Sequence, residues 1–196
     1  MFDLGGVLVD WNPRHLYRKL FGTDEAAMER FLADVCTPPW NKRQDAGRPF
    51  AVAIAELQQA HPEQAELIAA YFERWQEMLG PVNGETVALI TQLRDRGLRV
   101  FALSDWSAET YPTARQRIPE LDLFDDIVIS GEVGHTKPDP RVFEIACTRF
   151  GIAPTEAFFV DDTRGNVEGA RNLGFTAFHF SGAAALRDEL SALGLL

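Results

Sequence analysis

The chain has 196 residues, 46% apolar and 24% charged, which is enough for one core with an insertion, and no apolar run approaches the ~20 residues of a membrane span. Its formal net charge of −10 argues against a general nucleic-acid or anionic-membrane binder, since both need clustered Lys and Arg. Two cysteines, Cys36 and Cys147, are too few for a disulfide framework, and no basic stretch followed by an apolar one marks a secretory leader, so a cytoplasmic location is expected.

Phe2-Asp3-Leu4-Gly5-Gly6-Val7-Leu8 opens with a short apolar strand ending in a carboxylate, and its two glycines free the backbone to turn sharply. Only Met1 and Phe2 precede Asp3, against about five residues in an ordinary strand, so this strand is expected to be weak or poorly ordered. Trp11-Asn12-Pro13 leads into helical spacing at Leu16, Tyr17, Leu20 and Phe21, and Gly22-Thr23-Asp24 separates that helix from one carrying Met28, Phe31, Leu32 and Val35. Thr37-Pro38-Pro39 is a stop, and Trp40 to Pro49 reads as polar and irregular. A weaker helix runs from Phe50 to about Ala60. Beyond Pro62, the residues Leu67, Ile68, Tyr71, Phe72, Trp75, Met78 and Leu79 line one face of a stronger helix. Residues 13–80 are therefore expected to form an all-helical insertion between two parts of one core, 1–12 and 81–196.

After Gly80-Pro81-Val82-Asn83-Gly84 the pattern alternates. Helix 85–96 precedes a strand from Leu98 to Leu103 that ends at Ser104-Asp105, and helix 108–117 precedes strand 127–129. A loop from Gly131 to Pro140, helix 141–150, strand 157–160, helix 165–173, strand 175–180 and helix 183–193 complete the chain. This is an α/β pattern, a parallel sheet with helices on both faces. Right-handed crossovers put the C-terminal strand ends on one edge, where open α/β sheets bind their ligands. Asp3, Ser104, Lys137 and the pair Asp161-Asp162 all fall there, and Lys137 is one of only three lysines, with Lys19 and Lys42. Three carboxylates in one crevice repel unless a cation neutralises them, and a hard divalent ion such as Mg²⁺ suits an all-oxygen site. A lysine and a serine hydroxyl beside them suit the non-bridging oxygens of a phosphoryl group.

These residues resemble the motifs of the haloacid dehalogenase superfamily. Phe2-Asp3-Leu4-Gly5-Gly6-Val7-Leu8 is similar to its first motif and Leu103-Ser104-Asp105-Trp106 to its second. Gly134-His135-Thr136-Lys137-Pro138-Asp139-Pro140 is similar to the third, and Val160-Asp161-Asp162-Thr163-Arg164-Gly165-Asn166 to the fourth. The resemblance implies a Rossmann-like core, an inserted helical cap of the subfamily I kind, and phosphatase as the commonest activity. It makes Asp3 the nucleophile, with Ser104 and Lys137 stabilising the transferring phosphoryl group. Mg²⁺ would be held by Asp3, the Gly5 carbonyl, Asp161 and Asp162, with Asp105 and Asn166 behind them. Cap residues Trp40, Arg43, Gln44 and Arg48 are the expected contacts to the leaving group. The expected partner is a small phosphorylated substrate, with neither nucleic acid nor membrane, and the expected state is a monomer or homodimer.

One departure is chemical. The family's phosphatases place a second aspartate two residues after the nucleophile as general acid and base, and here that position is Gly5; Asp10, Asp105 and His135 are candidate replacements. Two rival readings follow. A 2-haloacid dehalogenase-type hydrolase needs no metal and lacks that second aspartate, but it has no use for adjacent Asp161 and Asp162. A binding or regulatory module that keeps the fold without the chemistry has no use for the whole acidic set.

Overall fold

From its opening turn the chain enters β1 (Val9–Trp11) and then five helices: α1 (Arg14–Phe21), α2 (Glu25–Asp34), α3 (Pro38–Asp45), α4 (Phe50–Ala60) and α5 (Ala65–Glu73). It returns along β2 (Leu79–Val82), which pairs antiparallel with β1 through Val9–Val82 and Trp11–Leu79. The computed structural model describes residues 1–196. Beyond β2, helices and strands alternate as α6 (Gly84–Asp95), β3 (Phe101–Ser104), α7 (Tyr111–Arg117), β4 (Asp126–Ile129) and the short α8 (Ser130–Val133). Then come α9 (Pro140–Phe150), β5 (Phe158–Asp161), α10 (Arg164–Asn172), β6 (Thr176–His179) and α11 (Ala183–Ala192). No helix is long and apolar enough to cross a membrane.

The sheet is parallel. β3 pairs with β4, β5 pairs with β6, and residues 1–3 lie between the two pairs, where Phe2 bridges to both Ala102 and Val160. The Phe2 and Asp3 amides donate to the Phe101 and Val160 carbonyls at 2.8 Å, and the Leu103 and Val160 amides donate back to Phe2 and Met1. Short as it is, this opening segment is hydrogen-bonded on both sides, which leaves few of its backbone groups unpaired. Side chains along each strand go to alternate faces. Val100 and Ala102 enter the larger apolar cluster with α6 and α11, whereas Phe101 and Leu103 enter a smaller one with Val142, Phe143 and Phe175. The larger cluster continues without a break into the helical insertion through Tyr17, Phe31, Trp40, Phe50 and Tyr71. The insertion is thus packed on the core as well as tethered by the β1–β2 ribbon.

The structure corrects the reading of Trp40–Pro49 as irregular, since α3 occupies most of it. Thr37 Oγ1 accepts the Trp40 amide at 3.1 Å, and Pro38 and Pro39 stand in the first turn, where proline costs no hydrogen bond. The same Thr-Pro-Pro that stops α2 starts α3. The periodicity was hidden because the buried face of this helix contains Gln44, a polar residue with no exposed surface whose Nε2 donates to the Trp40 carbonyl at 2.5 Å. The expected loop from Gly131 likewise begins as α8.

Candidate active site

Asp3 ends the central segment, Ser104 ends β3, Asp161 ends β5, and Lys137 lies in the loop between α8 and α9. All four are buried. Lys137 has no exposed surface; its ammonium donates to Asp161 Oδ2 at 2.6 Å and to the Leu103 carbonyl at 3.0 Å, and lies 3.0 Å from Asp3 Oδ1. Its three protons are thereby accounted for. Asp161 Oδ1 also accepts the Thr163 amide at 2.8 Å, and Asn166 Nδ2 reaches both Asp161 oxygens at 3.1 Å. Asp3 Oδ1 accepts the Leu4 amide at 2.7 Å, which leaves Oδ2 free of protein donors.

Burial pushes the Asp3 carboxyl well above the usual carboxylate range, while Lys137 pulls it down and Asp161 and Asp105 push it further up. Burial alone would lower Lys137, but the charges of Asp3, Asp161 and Asp105 outweigh it and hold the ammonium above its ordinary value. Asp162 is also raised, first by burial and then by Asp161. Oxygens of Asp3, Asp161 and Asp162 lie within 4.8 Å of one another. One lysine against these three carboxylates leaves an excess of two negative charges, which a divalent cation would neutralise. The all-oxygen donor set fits Mg²⁺.

Gly6 is what lets the opening turn approach this cluster. Its φ is 71°, and a Cβ there would stand 2.1 Å from Asp162 Oδ2. Gly6→Ala is therefore expected to displace Asp162 and to lower stability by about 1–2 kcal/mol; urea unfolding with an unchanged midpoint would refute this. At Gly5, by contrast, a Cβ would meet nothing within 4 Å. The side chain omitted from the family pattern would have had open space.

That space opens into two adjoining cavities between the helical insertion and the core. One, of about 50 Å³, is lined by Gly5, Asp45, Asp105, Trp106 and Ser107 among others. A larger cleft of about 680 Å³ is lined by Arg14, Leu32, Cys36, Pro38, Lys42 and Tyr71, and Trp11, Asn41, Asp45 and Asp105 line both. Burial holds the Cys36 thiol at about 12, so it stays protonated. Residues 38, 41, 42 and 45 recur at the spacing of one helical face, and α3 presents that face to the cleft.

Of the residues expected to contact the leaving group, none lines either cavity. Trp40 and Gln44 lie on the buried face of α3, with Trp40 against Phe50 and Tyr71. Arg43 is exposed, and Arg48 pairs with Glu56 at 2.5 Å. The residues of this helix that do line the cleft include Asn41, Lys42 and Asp45. Lys42 donates to the Lys137 carbonyl at 2.7 Å, and the Ser130 hydroxyl donates to the Asp45 carbonyl at 2.5 Å, so α3 is pinned to the loop that carries Lys137. A helical reading of residues 38–45 would have found them. Among the candidate replacements for the missing acid, Asp10 pairs with His15 at 2.8 Å and, like His135, lines neither cavity, whereas Asp105 lines both.

A parallel sheet with a helical insertion after its first strand, and a lysine buried among carboxylates at the strand ends, defines a Rossmann-like hydrolase core with a cap. The haloacid dehalogenase-like hydrolase family model matches residues 1–174, and the chain belongs to that family. It is 28% identical to the sesquiterpene phosphatase astK of Aspergillus oryzae over 98% of this chain and 94% of that protein. It is 35% identical to a phosphoserine phosphatase of Thermus thermophilus over 66% of this chain, spanning 52% of that relative. The fold matches that of a haloacid dehalogenase family enzyme from Bacteroides thetaiotaomicron in its magnesium complex, with a TM-score of 0.70 at 19% identity over 95% of this chain and 96% of the other.

Proposed function

We propose that the protein is a Mg²⁺-dependent phosphohydrolase that acts on a small phosphorylated metabolite through a phosphoryl-aspartate on Asp3. The observation that carries this reading is Lys137, fully buried and held between Asp3 and Asp161 beside Asp162. A lysine so placed neutralises part of a carboxylate cluster and leaves the remainder for a divalent ion. A carbon-attacking dehalogenase has no use for that remainder.

In this reading Asp3 Oδ2, the oxygen without a protein donor, attacks phosphorus while the Leu4 amide and Lys137 hold Oδ1. Ser104 and Lys137 stabilise charge on the transferring oxygens. Asp161, Asp162, Asp3 and the Gly5 carbonyl hold the ion, which when bound offsets charge on the phosphoryl group and its attackers. Asn166 and Lys137 fix Asp161, and Asp105, by accepting the Lys137 amide at 2.9 Å, fixes the loop that carries the lysine. Residues 13–80 form the cap over a core of 1–12 and 81–196, and the leaving group sits in the cleft faced by α3.

Phosphate release from a panel of phosphorylated metabolites tests the proposal. Activity is expected with Mg²⁺, is expected to fall at least about 100-fold on chelation, and is expected to return when Mg²⁺ is restored. Metal-independent halide release from 2-haloacids, with no phosphate release, would overturn it. A site that takes up beryllofluoride with Mg²⁺ on Asp3 would also distinguish a working centre from an inert binding module.

A further inference from the structure

We propose that Asp45, carried on α3 of the cap, is the general acid and base that the opening motif lacks at Gly5. The inference rests on the phosphatase reading above and adds a catalytic residue to it. Three observations carry it. Gly5 and Asp45 line the same cavity of about 50 Å³, so a carboxyl missing from one wall is present on another. A Cβ on Gly5 would meet nothing within 4 Å, so the omitted side chain leaves room rather than a filled wall. Asp45 also lines the 680 Å³ cleft, and thus joins the cavity at Gly5 to the larger space assigned to the leaving group.

The side chain is aimed and held. Asn41 Nδ2 donates to Asp45 Oδ2 at 2.8 Å, one turn earlier on the same helix face, and the Ser130 hydroxyl fixes the backbone at its carbonyl. Burial is the main influence on the Asp45 carboxyl and Asp105 across the cavity adds repulsion, which together push it up to about 7; Lys42 on its own helix and the Ser107 amide pull the other way. Of the other charged groups there, Arg14 and Glu29 line the same cleft and pair with each other at 2.6 Å, and Glu132 on α8 is exposed. Burial raises the Asp105 carboxyl as well, against the pull of Lys137, but Asp105 accepts the Lys137 amide at 2.9 Å and is committed to holding that loop, which makes it less suited to the role.

The step balances. Asp3 Oδ2 forms a bond to phosphorus as the bond from phosphorus to the leaving oxygen breaks, and that oxygen takes the Asp45 proton. The Asp45 carboxylate then removes a proton from water, whose oxygen attacks phosphorus and releases Asp3 and inorganic phosphate. Because the acid rides on the cap, proton transfer is available only when α3 is docked against the core.

The test uses the Mg²⁺-loaded enzyme and compares an alkyl phosphate with a nitrophenyl phosphate, whose leaving group needs little protonation. Wild-type release from the nitrophenyl ester first establishes phosphatase activity independently of Asp45. In Asp45→Asn, kcat/KM for the alkyl ester is expected to fall about 10²–10⁴-fold and that for the nitrophenyl ester by less than about tenfold. Phosphorylated Asp3 is expected to accumulate from the nitrophenyl ester, and the loss of alkyl activity above about pH 7 is expected to vanish. An unchanged ratio of the two esters, whether through equal loss or no loss, overturns the proposal. Gly5→Asp added to Asp45→Asn is expected to restore alkyl turnover at least tenfold, and a folded double variant with no gain also overturns it. Since a raised carboxyl binds its proton more tightly in the folded state, wild-type stability should fall between about pH 4 and 7, and Asp45→Asn should flatten that slope.

Discussion

Asp3→Asn is expected to reduce phosphate release by roughly 10⁴–10⁶-fold, the scale of loss when a covalent nucleophile is removed. The fold should survive. An asparagine oxygen can still accept the Leu4 amide, now at 2.7 Å, and Lys137 keeps its 2.6 Å bond to Asp161. One carboxylate fewer in a cluster with excess negative charge should also leave the metal-free thermal midpoint equal to or above that of the wild type. Quenched-flow phosphate release and calorimetry with a chelator present read the two effects separately. Wild-type turnover by the variant would sink the assignment of Asp3, and a collapsed midpoint would mean that the charge contributes more to folding than to chemistry.

Lys137→Met should act in the opposite direction on stability. Methionine nearly matches the length of the side chain but leaves Asp3 and Asp161 facing each other in a buried site, and breaking such a pair costs about 3–5 kcal/mol. For a domain of this size that lowers the midpoint by roughly 6–20 °C. Millimolar Mg²⁺ should recover part of the loss, because an ion bound to the folded state alone stabilises it by mass action. Phosphate release should remain low, since the ammonium that offsets phosphoryl charge is gone. Lys19→Met is the control. Lys19 pairs with Glu77 at 2.9 Å but is exposed, so its loss should cost less than about 1 kcal/mol. Similar midpoints for the two variants would refute a central electrostatic role for Lys137.

Much of the candidate site was legible because its residues terminate strands. Ser104 and Asp161 each follow a short apolar run, and such runs bounded by polar residues read as buried parallel strands without reference to the rest of the chain. Lys137 was legible through scarcity and its place in a loop before a capped helix, where Asp139 accepts the Arg141 amide at 3.0 Å. The opening strand was harder. Two residues before Asp3 offer no periodicity, and its order comes from β3 and β5 on either side.

The sequence by itself determined the α/β alternation, the helical insertion and the four groups carrying Asp3, Ser104, Lys137 and Asp161-Asp162, since each is written in a local pattern of apolar spacing and strand-end polarity. It also exposed the absent carboxyl at Gly5. Only the tertiary structure decided which face of residues 38–45 meets the cleft, turning Trp40 and Gln44 into the cap and Asn41, Lys42 and Asp45 toward the core. The reason is physical. A strand end is recognised from its neighbours in the chain, whereas a residue that shares a cavity with Gly5 from forty positions away is a neighbour only after α3 has docked.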